Sequence, residues 1–453
     1  MTTVSAICNL AQEFRDPMFK AAEWIWAHPQ LGFKEWEASD YLKGKFSEMG
    51  FRLVEAGNIP GFYFDIDTGR EGPTFAILGE LDAITVPSHP ACDKETGAVH
   101  ACGHHCQAAS LIGVAGVLRH PSVLSELCGR IRIVAVPAEE LVDLDNRAAM
   151  RDAGTIRHLS GKTEFMARGF FDGVDIAAMI HTAGGDKPGL HVGPGMTGII
   201  AKRVTFFGTD TNSAEPADCV NALYAAQTAL GAINALRESF NDRYRVRCQA
   251  IISEGGRSVV NTPDRVVVES HVRATDFDVL RDVNAKVNRA YTAAAAAFGA
   301  RVRIEDLDTY VPENDRDNPE FMKLAHDIAS ELFGEENVRL NFDERGRSPG
   351  GTDMGNLGAV IPVIQPYSTG QTGGSHRPEF AINSLELAVF DPATVLASLA
   401  CALLRDGGEK AREIIAAYKP RFSSIGEFLA ALDDISRPKK GIEYDGETAV
   451  LNW

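Results

Sequence analysis

The 453-residue sequence contains no run of about 18 consecutive apolar residues, so no membrane-spanning helix is expected. Met1 to Arg15 lacks a basic segment leading into a long apolar one, and no secretory signal is expected. Positive charge is scarce. The 45 Lys and Arg face 62 Asp and Glu, giving a net charge of −17 and a pI near 5.2. That deficit argues against a duplex-binding surface and a polybasic membrane anchor, both of which need clustered basic residues. Cysteine is sparse too, with eight residues: Cys8, Cys92, Cys102, Cys106, Cys128, Cys219, Cys248 and Cys401. Such a low density rules out a disulfide scaffold in a long chain. Free thiols or metal ligands in a reducing, cytoplasmic compartment are the expected use. No internal repeat or low-complexity segment is present.

Apolar residues make up 45% of the chain, enough for a sizeable core. At roughly 150 residues per domain, the length suits two or three domains, or one large domain with an insertion. Helical periodicity runs from Met1 to about Gly50, interrupted near His28-Pro29-Gln30-Leu31-Gly32. Strand patterns follow at Phe62 to Asp67, Thr74 to Gly79, Arg130 to Val136 and Val174 to Ile180, with a buried helix at Gln107 to Leu118. Alternating strands and helices predict an α/β domain. Its sheet should be mixed and mostly parallel, with helices on both faces and chemistry at the carboxyl ends of the strands.

The pattern changes after Gly193. Strands are expected at Ile199 to Phe207, Arg245 to Ser253 and Arg265 to Arg273. Long helices are expected at Ala217 to Phe240 and Phe277 to Phe298. This predicts a smaller α+β domain inserted at 195–308, inside a larger one formed by 1–194 and 309–453. Beyond it come a helix (Pro319 to Phe333), a Gly-rich loop (Gly346 to Gly358) and a last long helix (Asp391 to Leu404). A loose tail is expected from Arg437.

The densest chemistry is His100-Ala101-Cys102-Gly103-His104-His105-Cys106, between a strand signal and a helix signal. It concentrates imidazole and thiol, the side chains that ligate transition metals. Packed thiols at a helix start, or a structural zinc knot from Cys92, Cys102, His104 and Cys106, are the alternatives. Pro137-Ala138-Glu139-Glu140 ends an apolar strand. Two adjacent carboxylates there are costly unless paired or bound to metal. One can hold a cation while the other takes a proton from water. His181 ends another strand, and His376 lies in Gly373-Gly374-Ser375-His376-Arg377-Pro378-Glu379-Phe380. A parallel sheet would deliver these groups to one rim. Gly193-Pro194-Gly195-Met196-Thr197-Gly198 satisfies G-x-G-x-x-G, but a strand pattern follows where a dinucleotide site needs a helix. It reads as a domain crossover.

In this order, the motifs resemble the M20 metallopeptidase family, in particular its amidohydrolase branch of hippurate, auxin-conjugate and aminobenzoyl-glutamate hydrolases. The resemblance runs from His28-Pro29-Gln30-Leu31-Gly32-Phe33 through Gly79-Glu80-Leu81-Asp82-Ala83, the Cys102 cluster and Glu139-Glu140. It continues through Asn261-Thr262-Pro263-Asp264 and Gly351-Thr352-Asp353-Met354-Gly355-Asn356 to His376-Arg377-Pro378-Glu379-Phe380. It implies a zinc-exopeptidase-like fold whose inserted domain acts as a lid and makes a homodimer. It also implies that Cys102, His104, Glu140, His181 and His376 hold one or two divalent metals, Mn²⁺ or Zn²⁺, and that Glu139 is the general base. Asp82 is implied to fix a ligand imidazole. Asn261 and Arg273, with Gly350 of the Gly-rich loop, are implied to hold the carboxylate of a small-molecule substrate, a task suited to the planar fork of arginine.

Two departures stand out. His105 replaces the branch's Asp and Gln107 follows Cys106, which bears on the groups behind the ligands. The inserted domain's usual Gly-x-x-x-His turn reads Gly208-Thr209-Asp210-Thr211-Asn212. The histidine there stabilises the oxyanion in the branch. Asn212 can donate a hydrogen bond but carries no charge, and losing one oxyanion donor typically costs about 10²–10³ in rate. The leading expectation is a metal-dependent amidohydrolase acting on N-acyl or N-aroyl amino acids. An aminohydrolase removing an amino group from an activated aromatic ring, of nitroanthranilate type, is the second. A non-catalytic metal-binding homologue is the third.

Overall fold

The computed structural model describes residues 3–193, 195–312, 318–343, 347–437, 439–445 and 448–451. The chain divides into two compact units. One comprises Met1–Gly195, Glu313–Ser348 and Asp353–Ile425, and the other Met196–Pro312, Pro349–Thr352 and Gly426–Trp453.

The first unit is built on a six-stranded sheet in the order 54–55, 62–67, 130–136, 74–80, 176–178, 363–364. The neighbours Arg130–Val136, Thr74–Glu80, Ile176–Ala178 and Val363–Ile364 run parallel. Phe62–Asp67 and Val54–Glu55 add antiparallel strands at one side. All seven residues of Thr74–Glu80 are buried, which explains their nearly continuous apolar run: a central parallel strand is covered on both faces. The helix His104–Leu118 is buried along its whole length, as a helix apolar all round must be. It packs with Arg15–Trp26 and Asp391–Leu404.

Two expectations change here. The strand expected at Val174 to Ile180 is only Ile176–Ala178. His181 opens a separate strand, His181–Gly184, pairing with Tyr367–Thr372, because the backbone shifts its hydrogen bonds from Ile364 to Pro366 across Met179 and His181. The loop expected at Gly346 to Gly358, whose Gly346 lies outside the described residues, ends in a short helix, Met354–Gly358. Glu386–Leu404 has a mean hydropathy of 2.0, long and apolar enough for a membrane span. It is 89% buried inside the protein, where the same composition makes a core helix.

The second unit is a five-stranded antiparallel sheet in the order 247–254, 265–274, 198–207, 301–310, 439–440. Ala222–Leu236 and Phe277–Ala297 are its two long helices. The first starts later than expected because Asn221 caps it, accepting the N–H groups of Leu223 and Tyr224. The tail expected to be loose is paired: Lys439–Lys440 lies antiparallel to Arg303 and Ile304. The chain from Gly426 onward therefore groups with this unit, where the sequence reading put it with the larger one. Lys202 is fully buried and bonded to Asp306, Asn284 and Asn288, and Lys439 reaches the same Asp306 at 3.3 Å.

Candidate metal centre

Three adjacent parallel strands and one helix start converge in the first unit. Thr74–Glu80 leads into Leu81-Asp82, Arg130–Val136 into Pro137-Ala138-Glu139-Glu140, and Ile176–Ala178 towards His181. Cys102 and Gly103 precede the helix His104–Leu118. Gly103 has φ +94°, and a β-carbon there would lie 2.2 Å from Thr182 Oγ1. Only glycine lets the chain turn that tightly between Cys102 and His104.

The candidate ligands come together. Donor atoms of Cys102, His104 and His181 lie within 4.8 Å of one another, as do those of Cys102, Glu140 and His376, and those of His104, Glu139 and Glu140. Cys102 Sγ is 3.3 Å from His181 Nε2, and His376 Nε2 is 2.8 Å from Glu140 Oε1. His376 has φ +64° and donates its backbone N–H to Ala101. All but His376 are buried.

Asp82 organises two of these residues. Its Oδ1 lies 3.0 Å from His104 Nδ1, and its Oδ2 accepts the backbone N–H of Glu140 at 2.8 Å. Accepting a proton at Nδ1 fixes the tautomer that leaves the His104 Nε2 lone pair available. That buried Nε2 makes no hydrogen bond, and its nearest carboxylate is Glu80, with Oε2 at 3.1 Å. His181 Nδ1 is likewise held, by Thr182 O at 2.8 Å, with Nε2 turned towards Cys102. An imidazole nitrogen held among a thiol, a second imidazole and carboxylates fits a divalent transition metal.

Electrostatics follow from burial and crowding. Burial, then the Glu80 and Glu140 carboxylates, push Glu139 well above the usual carboxylate range. Burial would raise Glu140 as well, but His376 outweighs it and holds Glu140 low. Asp82 is held at about 2, with burial opposed by the hydrogen bond and charge of His104. Burial and Glu140 push the Cys102 thiol well up. A cation on the sulfur would reverse that direction, because coordination deprotonates a thiol.

Ala138 sits at φ +55°. Its N–H donates to Glu35 Oε1 at 2.7 Å, and its carbonyl accepts from Gly161 at 3.0 Å. These bonds fix a strained residue just before the two glutamates. The sequence reading missed Glu35, Glu80, Lys162 and Asp353 as site residues. Glu80 and Asp353 lay inside quoted motifs and are buried carboxylates. Lys162, between Gly161 and Thr163, carries no motif at all.

The departures near Cys102 resolve differently. His105 is buried, its ring 5.0 Å from Trp26 and its Nε2 3.3 Å from Cys106 Sγ. It packs. Gln107 donates to Glu80 Oε2 at 2.9 Å, and so reaches the groups behind the ligands. Cys92 donates to Pro87 O at 3.4 Å and Cys106 faces His105, so among the described residues neither joins Cys102 and His104 in a zinc knot.

In the second unit, Asn212 and Asn261 form an isolated antiparallel bridge. Asn212 Oδ1 accepts the Ala214 N–H at 3.1 Å, and Asn261 Nδ2 donates to Asp210 at 3.2 Å. Arg273 Nη1 donates to Pro349 O at 3.4 Å, and Gly350 O accepts from Thr197 N at 2.9 Å and from its hydroxyl at 2.6 Å.

The family model for Peptidase family M20/M25/M40 matches residues 62–399. The chain is 24% identical over 375 residues to the N-acetylcysteine deacetylase of Bacillus subtilis strain 168, covering 80% of this chain and 90% of that one. It is 25% identical over 364 residues to the indole-3-acetyl-aspartic acid hydrolase of Enterobacter agglomerans, covering 76% and 77%. Among solved structures, the B. subtilis YXEP protein, described as a dinuclear metal-binding M20 peptidase, superposes with a TM-score of 0.62 at 22% identity, covering 87% and 99%. The chain belongs to peptidase family M20/M25/M40 and is a hydrolase acting on C–N bonds.

Proposed function

We propose that the chain is a metal-dependent amidohydrolase that releases an amino acid or aryl amine from an N-acyl or N-aroyl conjugate. The observation that carries this is the convergence of donor atoms from Cys102, His104, His181, Glu140 and His376, with His104 aimed by Asp82 and Glu139 alongside. Cys102, His104, Glu140, His181 and His376 would hold the cation, and a thiolate among them suits Zn²⁺ by softness while the amidohydrolase branch often uses Mn²⁺. A dinuclear relative supports a second ion. Such an ion would polarise the scissile carbonyl and acidify water towards a pKa of about 7.

Glu139 is the proton carrier in this reading. It takes a proton from the attacking water as the new C–O bond forms, holds it, and passes it to the amine nitrogen as the C–N bond breaks. Burial and the facing carboxylates raise its proton affinity, which suits a group that must hold a proton between two steps. Asn261, Arg273 and Gly350 are proposed to recognise the substrate carboxylate. Relatives acting on acetylcysteine and on an aspartate conjugate support a carboxylate-bearing substrate. Asn212 is proposed to donate to the developing oxyanion.

A homodimer through the second unit is part of the proposal. The edge strand Arg247–Glu254 exposes Ile251 (57%) and Ile252, and Val259 (91%), Val260 and Tyr224 of the same unit are also exposed, apolar surface at an open sheet edge that a partner would cover. Eight free cysteines support a reducing, cytoplasmic location. Asn212 favours one second reading: removal of an amino group from an activated aromatic ring, where charge spreads into the ring and needs less help from an oxyanion donor.

The test is mass-spectrometric screening of Mn²⁺- and Zn²⁺-loaded protein, with a chelated control. The panel holds N-acetyl, N-benzoyl and other N-aroyl amino acids, dipeptides, and aminobenzoates including nitro forms. Chelator-sensitive amide cleavage, lost in Glu139→Gln with metal retained, is the expected outcome. Silence on all amides with ammonia release from an aminobenzoate would favour the second reading. Full activity in Glu139→Gln would overturn the proton-carrier role.

A further inference from the structure

A second charged group adjoins the cysteine–histidine cluster and shares Glu139 with it, while its other two carboxylates, Glu80 and Asp353, have no part in the reaction above. Glu80, Glu139 and Asp353 bring carboxylate oxygens within 4.8 Å of one another. Three carboxylates at that spacing match the oxygen-rich donor set of a divalent ion. Unlike the other candidate groups, this one includes no cysteine or histidine.

Lys162 fills the space. Its Nζ is 2.5 Å from Glu80 Oε1 and 2.5 Å from Asp353 Oδ1. Its backbone N–H donates to Asp353 Oδ2 at 2.8 Å, so ammonium and amide together grip both oxygens of Asp353. The lysine side chain is 0% exposed. On the other side, Glu80 Oε2 accepts Gln107 Nε2 at 2.9 Å and lies 3.1 Å from His104 Nε2. A buried ammonium is costly unless it is paired. Here two carboxylates pair with it, and their charge outweighs burial and keeps it protonated. Glu139 is close enough to feel that charge as well.

We propose that Lys162 is a positioning residue whose ammonium takes the place of a divalent ion among Glu80, Asp353 and Glu139. It confines metal to Cys102, His104, Glu140, His181 and His376, and keeps metal off Glu139, the proton carrier. The proposal rests on the reading of Glu139 given above. A metal on Glu139 would occupy the lone pair that accepts the proton. Lysine suits the task because its ammonium is a compact point charge with three donors.

The test counts metal, which needs no substrate. Wild type and Lys162→Met, a neutral side chain of similar length, are loaded with Mn²⁺, desalted and measured by inductively coupled plasma mass spectrometry. Lys162→Met should hold one more equivalent per chain than wild type. Adding Asp353→Asn should remove that extra equivalent. On whichever substrate the screen identifies, Lys162→Met should lose about 10–100-fold in kcat with KM little changed, as for other groups behind metal ligands. A folded Lys162→Met with wild-type metal content and wild-type kcat overturns the proposal. If that variant is insoluble, anomalous diffraction from Mn²⁺-soaked wild-type crystals decides. Peaks at the Cys102-centred ligands alone support the role, and a peak among Glu80, Asp353 and Glu139 overturns it. Failure of the amidohydrolase reading would show as inactivity of wild type on every amide, and would leave the metal counts standing.

Discussion

Asp82→Asn is the sharpest probe of how the site is assembled. The carboxylate serves two donors at once, His104 Nδ1 at 3.0 Å and Glu140 N at 2.8 Å. Asparagine has nearly the same shape but offers one carbonyl oxygen and one NH₂ group. Whichever way it turns, one of the two donors faces another donor. The His104 ring keeps the Asp82 backbone carbonyl at 3.0 Å, so the fold should survive. The imidazole nonetheless loses its charged partner, and with it ligand basicity and a fixed orientation. Removing such a partner costs about 10–100-fold in metal affinity, or about 1.4–2.7 kcal/mol. The assay is competition between the protein and a chromophoric chelator for Zn²⁺ or Mn²⁺. Far-UV circular dichroism confirms folding. Affinity should fall by that factor, and excess metal should restore much of the lost turnover. A folded Asp82→Asn that binds metal as tightly as wild type would refute the arrangement, because neither His104 nor Glu140 would then depend on Asp82.

Three further predictions test separate links. Gly103→Ala should destabilise the protein by at least about 1–2 kcal/mol from the positive φ alone, with more from the 2.2 Å approach to Thr182; an unchanged melting temperature would contradict the tight turn. Glu35 is raised to about 8, by burial first and then by Asp82. An acid raised in the folded state weakens it as pH climbs from the unfolded value near 4.5 through about 8, since the unfolded chain releases the proton more readily. Glu35→Gln should flatten that part of the melting-temperature profile, and a wild-type slope in the variant would refute it. Asn212→His should raise amide hydrolysis by restoring an ionisable oxyanion donor, read as kcat/KM on the best amide; a decrease would mean the site is tuned to a different bond.

Much of the first unit was legible because its central strands are covered on both faces. Arg130–Val136 and Pro319–Phe333 appear with the boundaries their patterns give, and a proline stops one and opens the other. The candidate ligands stood out because cysteine, histidine and paired glutamates are expensive to bury without a purpose, and the structure brings their donor atoms within 4.8 Å of one another in overlapping groups. Lys162 was not legible. Its role comes from Glu80, 82 positions earlier, and Asp353, 191 later, and nothing local distinguishes it from a surface lysine. The tail failed for a related reason. Lys439-Lys440 looks solvent-bound until Asp306 and the edge of the strand Arg301–Tyr310 are known to lie beside it. The break before His181 was hidden as well, since Val174 to Ile180 is apolar throughout except Asp175, and only the hydrogen-bond partners reveal where one sheet gives way to another.

The identity of residue 212 has a consequence that the metal centre alone would not suggest. Asn212 spends its acceptor on the Ala214 N–H, an Asx-type turn that a neutral amide makes well. The side chain is thereby anchored, and what remains to offer a substrate is an NH₂ group of fixed direction and no charge. A histidine at the same place would trade that local anchor for a donor able to carry a proton. In an amide's tetrahedral adduct the negative charge sits on one oxygen, so a neutral donor forgoes most of the stabilisation a cation gives. In an adduct formed at an activated aromatic carbon the charge spreads across the ring, and a directed neutral donor loses far less. In the proposed oxyanion role, the same asparagine would be a handicap for one C–N bond and nearly neutral for the other. For ordinary amides to remain the substrate, a cation at the proposed ligands Cys102, His104, Glu140, His181 and His376 would itself have to carry most of the oxyanion's charge.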